Sequence, residues 1–262
     1  MDFGTEFEGK HVIVTGALGV VGRWLAEGFG KAGAKLCLTD MDQDALDALA
    51  AEVGAEGSFG ARCDLRDATA IDALVAEVGA RCGAADVLIN NAGVYPSGFL
   101  LDTDAQEWDR ILDINLRAVH LMTRGIATQM IRAERQGSVI NISSGAARKM
   151  RLTAAAYSLS KTALDRLTKG YGLELARYGI RVNALEPGFA AGSTASPLPE
   201  EHVKRVTASM PLGRASSADD VVPAAMYLAS EAASFVTGAT LTVDGGNSIG
   251  SMDVYQDKKA PL

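Results

Sequence analysis

Tyr157 and Lys161 stand four positions apart in Ala155-Ala156-Tyr157-Ser158-Leu159-Ser160-Lys161, a stretch of helical period. Residues at that spacing share one helix face, so the phenol and the ammonium point the same way. A free phenol has a pKa of about 10 and is a poor base at neutral pH. A neighbouring ammonium favours the phenolate and lowers that pKa, which makes the pair a candidate acid–base centre. Taken singly, a tyrosine on a helix is more often a packing residue, so the pair gains meaning from its company.

A second set of residues has the character of a ligand cradle. Thr15-Gly16-Ala17-Leu18-Gly19-Val20-Val21-Gly22 follows an apolar run just where a helical pattern begins. Glycines there let the backbone turn tightly and approach a pyrophosphate, whose charge rests on free N–H groups at the helix start. A glycine triplet alone is also read as a plain tight turn; its place between strand and helix makes it a dinucleotide-binding candidate. Asp40 closes the second apolar run, 18 residues after Gly22. A carboxylate there accepts hydrogen bonds from both hydroxyls of an adenosine ribose and repels a 2′-phosphate. The glycine turn holds no Arg or Lys and Met41 follows Asp40, so NAD(H) is favoured over NADP(H). The alternative role for Asp40 is to cap the following helix.

The elements that must position these groups alternate regularly. Strands are expected at 11–14, 35–39, 58–63, 86–89, 138–142, 180–185 and 240–243. Helices are expected at 20–32, 42–53, 67–82, 104–131, 154–178 and 218–230. Apolar strands without polar alternation, separated by helices, mark a parallel sheet covered on both faces. Right-handed crossovers then gather the strand carboxyl ends on one edge, where ligands bind. No Pro/Ser-rich linker or repeat divides the chain, so residues 1–262 are expected to form a single domain. Residues 189–214 form a less regular candidate lid, and 250–262 a polar C-terminal tail.

Composition removes several function classes. Of 262 residues 48% are hydrophobic, enough for a sizeable core. The net charge of −7, from 25 basic and 32 acidic side chains, argues against nucleic acid or an anionic membrane as partner. No stretch approaches the ~18 apolar residues of a membrane span and the first ten residues lack an apolar signal core, so a cytoplasmic location is expected. Cys37, Cys63 and Cys82 have no metal-ligand spacing, and Cys37 and Cys63 sit in apolar runs as small hydrophobes. His11, His120 and His202 are scattered, so no metal site is indicated.

With Asn90-Asn91-Ala92-Gly93, Asn115, Ser144, Tyr157-Ser158-Leu159-Ser160-Lys161, Pro187-Gly188 and Val243-Asp244-Gly245-Gly246 in order, the chain resembles the short-chain dehydrogenase/reductase family. The likeness runs from about residue 8 to 248 and fits the classical type with a variant glycine motif. The family's second glycine falls where this chain has Val20, and the 16, 19, 22 spacing resembles the family's extended branch. The resemblance implies an α/β fold of Rossmann type, a doubly wound parallel sheet in a single domain. It implies that Gly16, Leu18, Gly19, Val20, Val21 and Gly22 bind the cofactor, with Asp40 and Met41 at the ribose and Asp64 and Leu65 beside the adenine. Asn91, Ala92 and Gly93 would lie along the cofactor, and Pro187 and Gly188 would border the nicotinamide. Lys161 would hold the nicotinamide ribose hydroxyls as well as act on Tyr157. Ser144 would bond the substrate oxygen, and Asn115 would hold a water linking Lys161 to solvent. The family threonine after Pro187-Gly188 is replaced by Gly192, with Ser193 or Thr194 as substitutes.

The implied activity is NAD(H)-dependent interconversion of a secondary alcohol and a ketone, with a 3-oxoacyl thioester within the class. Val94, Tyr95, Met150, Leu152 and Phe189 stand near positions that line the family's substrate cleft, although each could equally be core. Arg148, Lys149 and Arg151 are either a solvated loop or an attractor for a carboxylate or a phosphorylated carrier. The helices at 104–131 and 154–178 resemble those that pair in family assemblies, so a homotetramer or homodimer is expected. The alternative function is a catalytically silent dinucleotide-binding redox sensor or scaffold, since a fold does not by itself give activity.

Overall fold

The computed structural model describes residues 3–53, 56–192 and 199–250. Seven strands form one sheet: β1 (His11–Thr15), β2 (Lys35–Asp40), β3 (Phe59–Arg62), β4 (Val87–Asn90), β5 (Gly137–Ile142), β6 (Ile180–Pro187) and β7 (Thr240–Val243). Their spatial order is β3-β2-β1-β4-β5-β6-β7, and every pairing is parallel. Parallel neighbours need crossover connections. These contain α1 (Val20–Lys31), α2 (Gln43–Glu52), α3 (Ala68–Cys82), α4 (Ala105–Leu112), α5 (Ala118–Arg132), α6 (Ala155–Leu175), α7 (Glu200–Ala208) and α8 (Ala218–Ala229).

Successive strand side chains leave opposite faces, and both faces here are buried. Val12, Val14, Leu36, Leu38, Val87, Ile89, Ile140 and Ile142 pack with Leu25, Phe29, Leu46 and Val221, so α1, α2 and α8 cover one side. The intervening Ile13, Cys37, Leu88 and Val139 pack with Ile71, Leu74, Met122 and Ile126 of α3 and α5 on the other. This double burial explains why the strands lack polar alternation. The order reverses between β1 and β4, which opens a crevice at their carboxyl ends.

Two elements depart from the sequence pattern. The helix expected over 104–131 is interrupted by a π turn at Asp113–Arg117, between α4 and α5. Such a turn closes i→i+5 hydrogen bonds and often marks a functional position. The candidate lid at 189–214 contains α7, whose first turn carries Glu200 and Glu201 in favourable register with the helix dipole. Residues 193–198 and 251–262, including Ser193, Thr194 and most of the C-terminal tail, lie outside the described residues.

Helix starts distinguish α1 from its neighbours. Asp42 caps α2 by accepting from Ala45 N–H (3.1 Å), Asp67 caps α3 from Thr69 (2.8 Å) and Asp104 caps α4 from Glu107 (2.8 Å). At α1 the cap position is Gly19, which has no side chain to satisfy the first N–H groups. The turn before it is sterically tight. Gly16 adopts φ +65°, and a Cβ there would lie 2.7 Å from Ala92 Cα. A Cβ on Gly22 would overlap the Gly16 carbonyl oxygen, whereas one on Gly19 would only touch it at 3.4 Å. Gly22→Ala is therefore expected to cost roughly 1–3 kcal/mol of stability, and Gly19→Ala less than about 1 kcal/mol. Urea melts of the two variants check this; equal losses would refute the steric account.

Candidate active site

The carboxyl ends of β1 and β4 are tied together by short polar contacts. Thr15 Oγ1 accepts from the N–H groups of Asn91 and Ala92, both at 3.0 Å. Asn91 Nδ2 donates to the carbonyls of Thr15 and Gly16, both at 2.9 Å. The glycine turn is thus fastened to the strand that leads into Gly93 and Val94. On its other side Asp40 Oδ2 accepts from Leu18 N–H (3.0 Å) and Oδ1 from Met41 N–H (2.8 Å). Asp42 caps the next helix, so Asp40 is directed to the turn and not to α2.

These residues fit a nicotinamide dinucleotide. The start of α1 offers N–H groups without a side-chain cap, the Gly16–Gly22 contact leaves no space for a Cβ, and Asp40 keeps lone pairs for two hydroxyls. Arg62 was not singled out by sequence; its Nε donates to Met41 O at 3.0 Å and places a guanidinium at the Asp40 rim. Asp64 engages Arg66 through a two-pronged ion pair, Nη2 to Oδ2 at 2.6 Å, which pulls its carboxyl down to about 2. Leu65 leans on the apolar layer beneath α3.

The residues expected to handle the proton converge from the π turn, the turn after β5 and α6. Asn115 is wholly buried in the π turn. Its Oδ1 accepts from Val94 N–H (2.8 Å), and its Nδ2 donates to Val94 O (2.9 Å) and Ser160 Oγ (3.0 Å). Both amide protons are committed to protein acceptors, so any water held by this side chain must use the remaining Oδ1 lone pair. A Cβ on Gly93 would meet Asn115 Oδ1 at 3.4 Å and Lys161 Nζ at 3.6 Å, which places the three together.

Lys161 is 4% exposed and donates from Nζ to Ile142 O at 2.8 Å. Burial lowers its pKa to about 8, with Asp165 acting in the opposite sense. Its Nζ lies 5.8 Å from the centre of the Tyr157 ring. The spacing argument has the ammonium bring the phenol down, but burial instead raises Tyr157 above its ordinary value. A hydrogen bond with Ser144 and the charge of Arg151 work against that rise. Ser144 also accepts from Ala146 N–H at 3.2 Å, which fixes the turn after β5.

Tyr95 meets the Tyr157 ring edge-on, with centroids 6.3 Å apart. The segment beyond it is held by Thr153, a β-branched residue at φ +63°. That conformation costs on the order of 1–3 kcal/mol. Ser97 Oγ bonds Thr153 Oγ1 (2.9 Å) and Gly98 N–H donates to Thr153 O (2.8 Å), so the strain is held four residues before Tyr157. Val94 and Phe189 are half-buried, whereas Met150 and Leu152 are 65% and 82% exposed. Pro187 ends β6 and Gly188 follows it, its N–H donating to Val243 O at 2.8 Å. The basic cluster separates: Arg148 pairs with buried Glu186, Lys149 donates to Gly250 O (3.3 Å), and Arg151 alone acts on the phenol.

Comparison with known proteins agrees with this architecture. A family model described as Enoyl-(Acyl carrier protein) reductase matches residues 16–248. The chain belongs to the short-chain dehydrogenase/reductase family, whose members are oxidoreductases that bind a nicotinamide dinucleotide. Sorbitol dehydrogenase of Cereibacter sphaeroides is 34% identical over 253 residues, covering 92% of this chain and 98% of its own. The 3-oxoacyl-[acyl-carrier-protein] reductase FabG of Thermotoga maritima is 33% identical over 245 residues, covering 92% and 98%. A gluconate 5-dehydrogenase from Burkholderia cenocepacia, solved with NADP and tartrate, superposes with TM-score 0.86 at 32% identity, covering 94% and 98%. Among the described residues no helix is long and apolar enough to cross a membrane.

The buried ammonium has a stability consequence. Its folded pKa of about 8 lies below the ordinary 10.5, so between those values the unfolded chain holds a proton that the folded chain has released. Stability from this group therefore rises with pH across that window, and the penalty is complete below it. Lys161→Met should raise stability near neutral pH by about 1–3 kcal/mol and abolish that rise. Urea melts at neutral and alkaline pH check it; a less stable Met variant at neutral pH would refute it.

Proposed function

We propose that this chain is an NAD(H)-dependent oxidoreductase that interconverts a secondary alcohol and a ketone, with Tyr157 as acid and base. The observation that carries the reading is the convergence of Asn115, Ser144, Tyr157 and Lys161 beside an uncapped, Asp40-flanked glycine turn. A protein that only sensed the dinucleotide would need the turn but not the four polar residues.

In reduction the Tyr157 phenol gives its proton to the substrate oxygen, and in oxidation it takes the hydroxyl proton. Ser144, whose hydroxyl acts on the phenol, directs its Oγ to the same oxygen and stabilises the charge that develops there. Lys161 would hold the ribose hydroxyls, and its ammonium stands beside the phenol ring, 5.8 Å from its centre. Asn115 keeps Val94 and Ser160 in register, so the strand end and α6 present their groups together. A nicotinamide dinucleotide held by the glycine turn and Asp40 would supply the hydride, or accept it in the reverse direction. Tyr95, Val94 and Phe189 would line an apolar side of the substrate space, with Arg151, which forms no ion pair among the described residues, the cation for a carboxylate or a phosphorylated carrier. The printed activities of the relatives, a polyol dehydrogenase and an oxoacyl reductase, fall within the same reaction class.

NADH fluorescence titration followed by turnover against ketones tests the reading. Tyr157→Phe is expected to bind NADH like the wild type and to lose at least about 100-fold in kcat. Binding without turnover across a broad panel, in both directions, would replace the enzyme by a sensor. Cofactor choice is tested separately. The wild type should prefer NADH, and Asp40→Ala should shift the NADPH/NADH ratio of kcat/KM by about tenfold or more, because a like charge is removed. A wild type that already favours NADPH would overturn the assignment and turn attention to Arg62.

A further inference from the structure

Glu186 is wholly buried at the carboxyl end of β6, directly before Pro187-Gly188. Such a carboxylate is costly unless paired and hydrogen-bonded. Its Oε2 is bonded by Arg148 Nη2 and by Thr242 Oγ1 at 2.7 Å. Its Oε1 has no hydrogen-bond partner among the described residues. Thr242 is the register partner of Glu186 on β7, so that contact follows from the sheet. Arg148 comes from elsewhere, four residues after Ser144, and its Nη2 also bonds Thr242 Oγ1 (2.8 Å) and Ser248 Oγ (2.9 Å).

The C-terminal turn reached by Arg148 lies against the Ser144 turn itself. Asp244 accepts from Gly246 N–H (2.9 Å) and Ser248 N–H (2.8 Å), which shapes residues 244–248. A Cβ on Gly145 would lie 2.8 Å from Ser248 Cβ, and one on Gly188 would lie 2.8 Å from Asp244 Cα. One guanidinium thus joins the turn carrying Ser144, the end of β6 and the C-terminal turn. We propose that Arg148 is a positioning residue that, through Glu186, Thr242 and Ser248, holds Ser144 in hydrogen-bonding register with Tyr157.

The proposal rests on the reading of Ser144 and Tyr157 as reacting partners, but its test does not depend on turnover alone. Full-length wild type, Arg148→Met, Arg148→Lys and Ser248→Ala would be compared by NADH affinity, by KM and kcat, and by titration of Tyr157 with ring-labelled tyrosine NMR. Removing Arg148 also removes a charge, whereas Ser248→Ala removes none, so an upward titration shared by both variants reports displacement of Ser144 from the phenol. Expected are a Tyr157 titration moved upward and kcat lowered about 10- to 100-fold, with NADH affinity kept and partial rescue by lysine. Ser248→Ala, which keeps the Glu186 pair, should move both readouts in the same direction by less, and it carries the test if Arg148→Met does not fold. Unchanged titration and kcat in the folded variants would overturn the proposal. If the wild type never turns over a ketone, the reading of function falls, while the titration still decides whether Arg148 positions Ser144.

Discussion

The fastening of β1 to β4 by Thr15 and Asn91 is the constraint on which the rest of the site depends. Parallel strands on either side of the order reversal splay their following loops apart, and a crevice of that kind has no intrinsic width. The Thr15 hydroxyl and the Asn91 amide set it, by bonding four backbone groups of the two strand ends. With that distance fixed, Gly16 and Gly22 can approach within limits that no Cβ would permit, and Asp40 meets Leu18 from the far side. The cradle is therefore a property of several short contacts acting on one turn.

The same logic places the candidate acid–base residues. Asn115 spends its amide on Val94 and Ser160, and so joins the strand that leaves the cradle to the helix that carries Tyr157 and Lys161. Lys161 is then buried with its Nζ bonded to the Ile142 carbonyl and, among the described residues, in no ion pair. That is poor practice for stability and good practice for chemistry, since an ammonium in a low-dielectric setting acts strongly on its neighbours.

Much of this was legible in the sequence because it is local. Strand and helix positions follow from apolar runs and helical period; strand boundaries differ by a residue or two, while α6 stops three residues short of 178 and α7 was not expected. Tyr157 and Lys161 were paired by spacing, and Asp40 by its place at a strand end. The π turn was not legible: 104–131 has helical period throughout, and one extra residue in a turn leaves no compositional trace. Nor was the partner of Arg148, because Glu186, Thr242 and Ser248 are brought together by strands far apart in the chain. The rise in the Tyr157 pKa escaped for a related reason, since spacing gives direction on a helix but says nothing of how much water is excluded.

The π turn at Asp113–Arg117 also bears on which changes of chain length this protein can tolerate. Removing one residue there would let α4 and α5 merge into an uninterrupted α-helix with better backbone bonding. The merged helix would rotate its parts by about 100° relative to one another. Either the buried Met122 and Ile126 would leave the sheet, or Asn115 would turn away from Val94 and Ser160. Length at this point is as constrained as residue type: lineages descending from this chain can exchange side chains along the helix but not drop a residue from its middle.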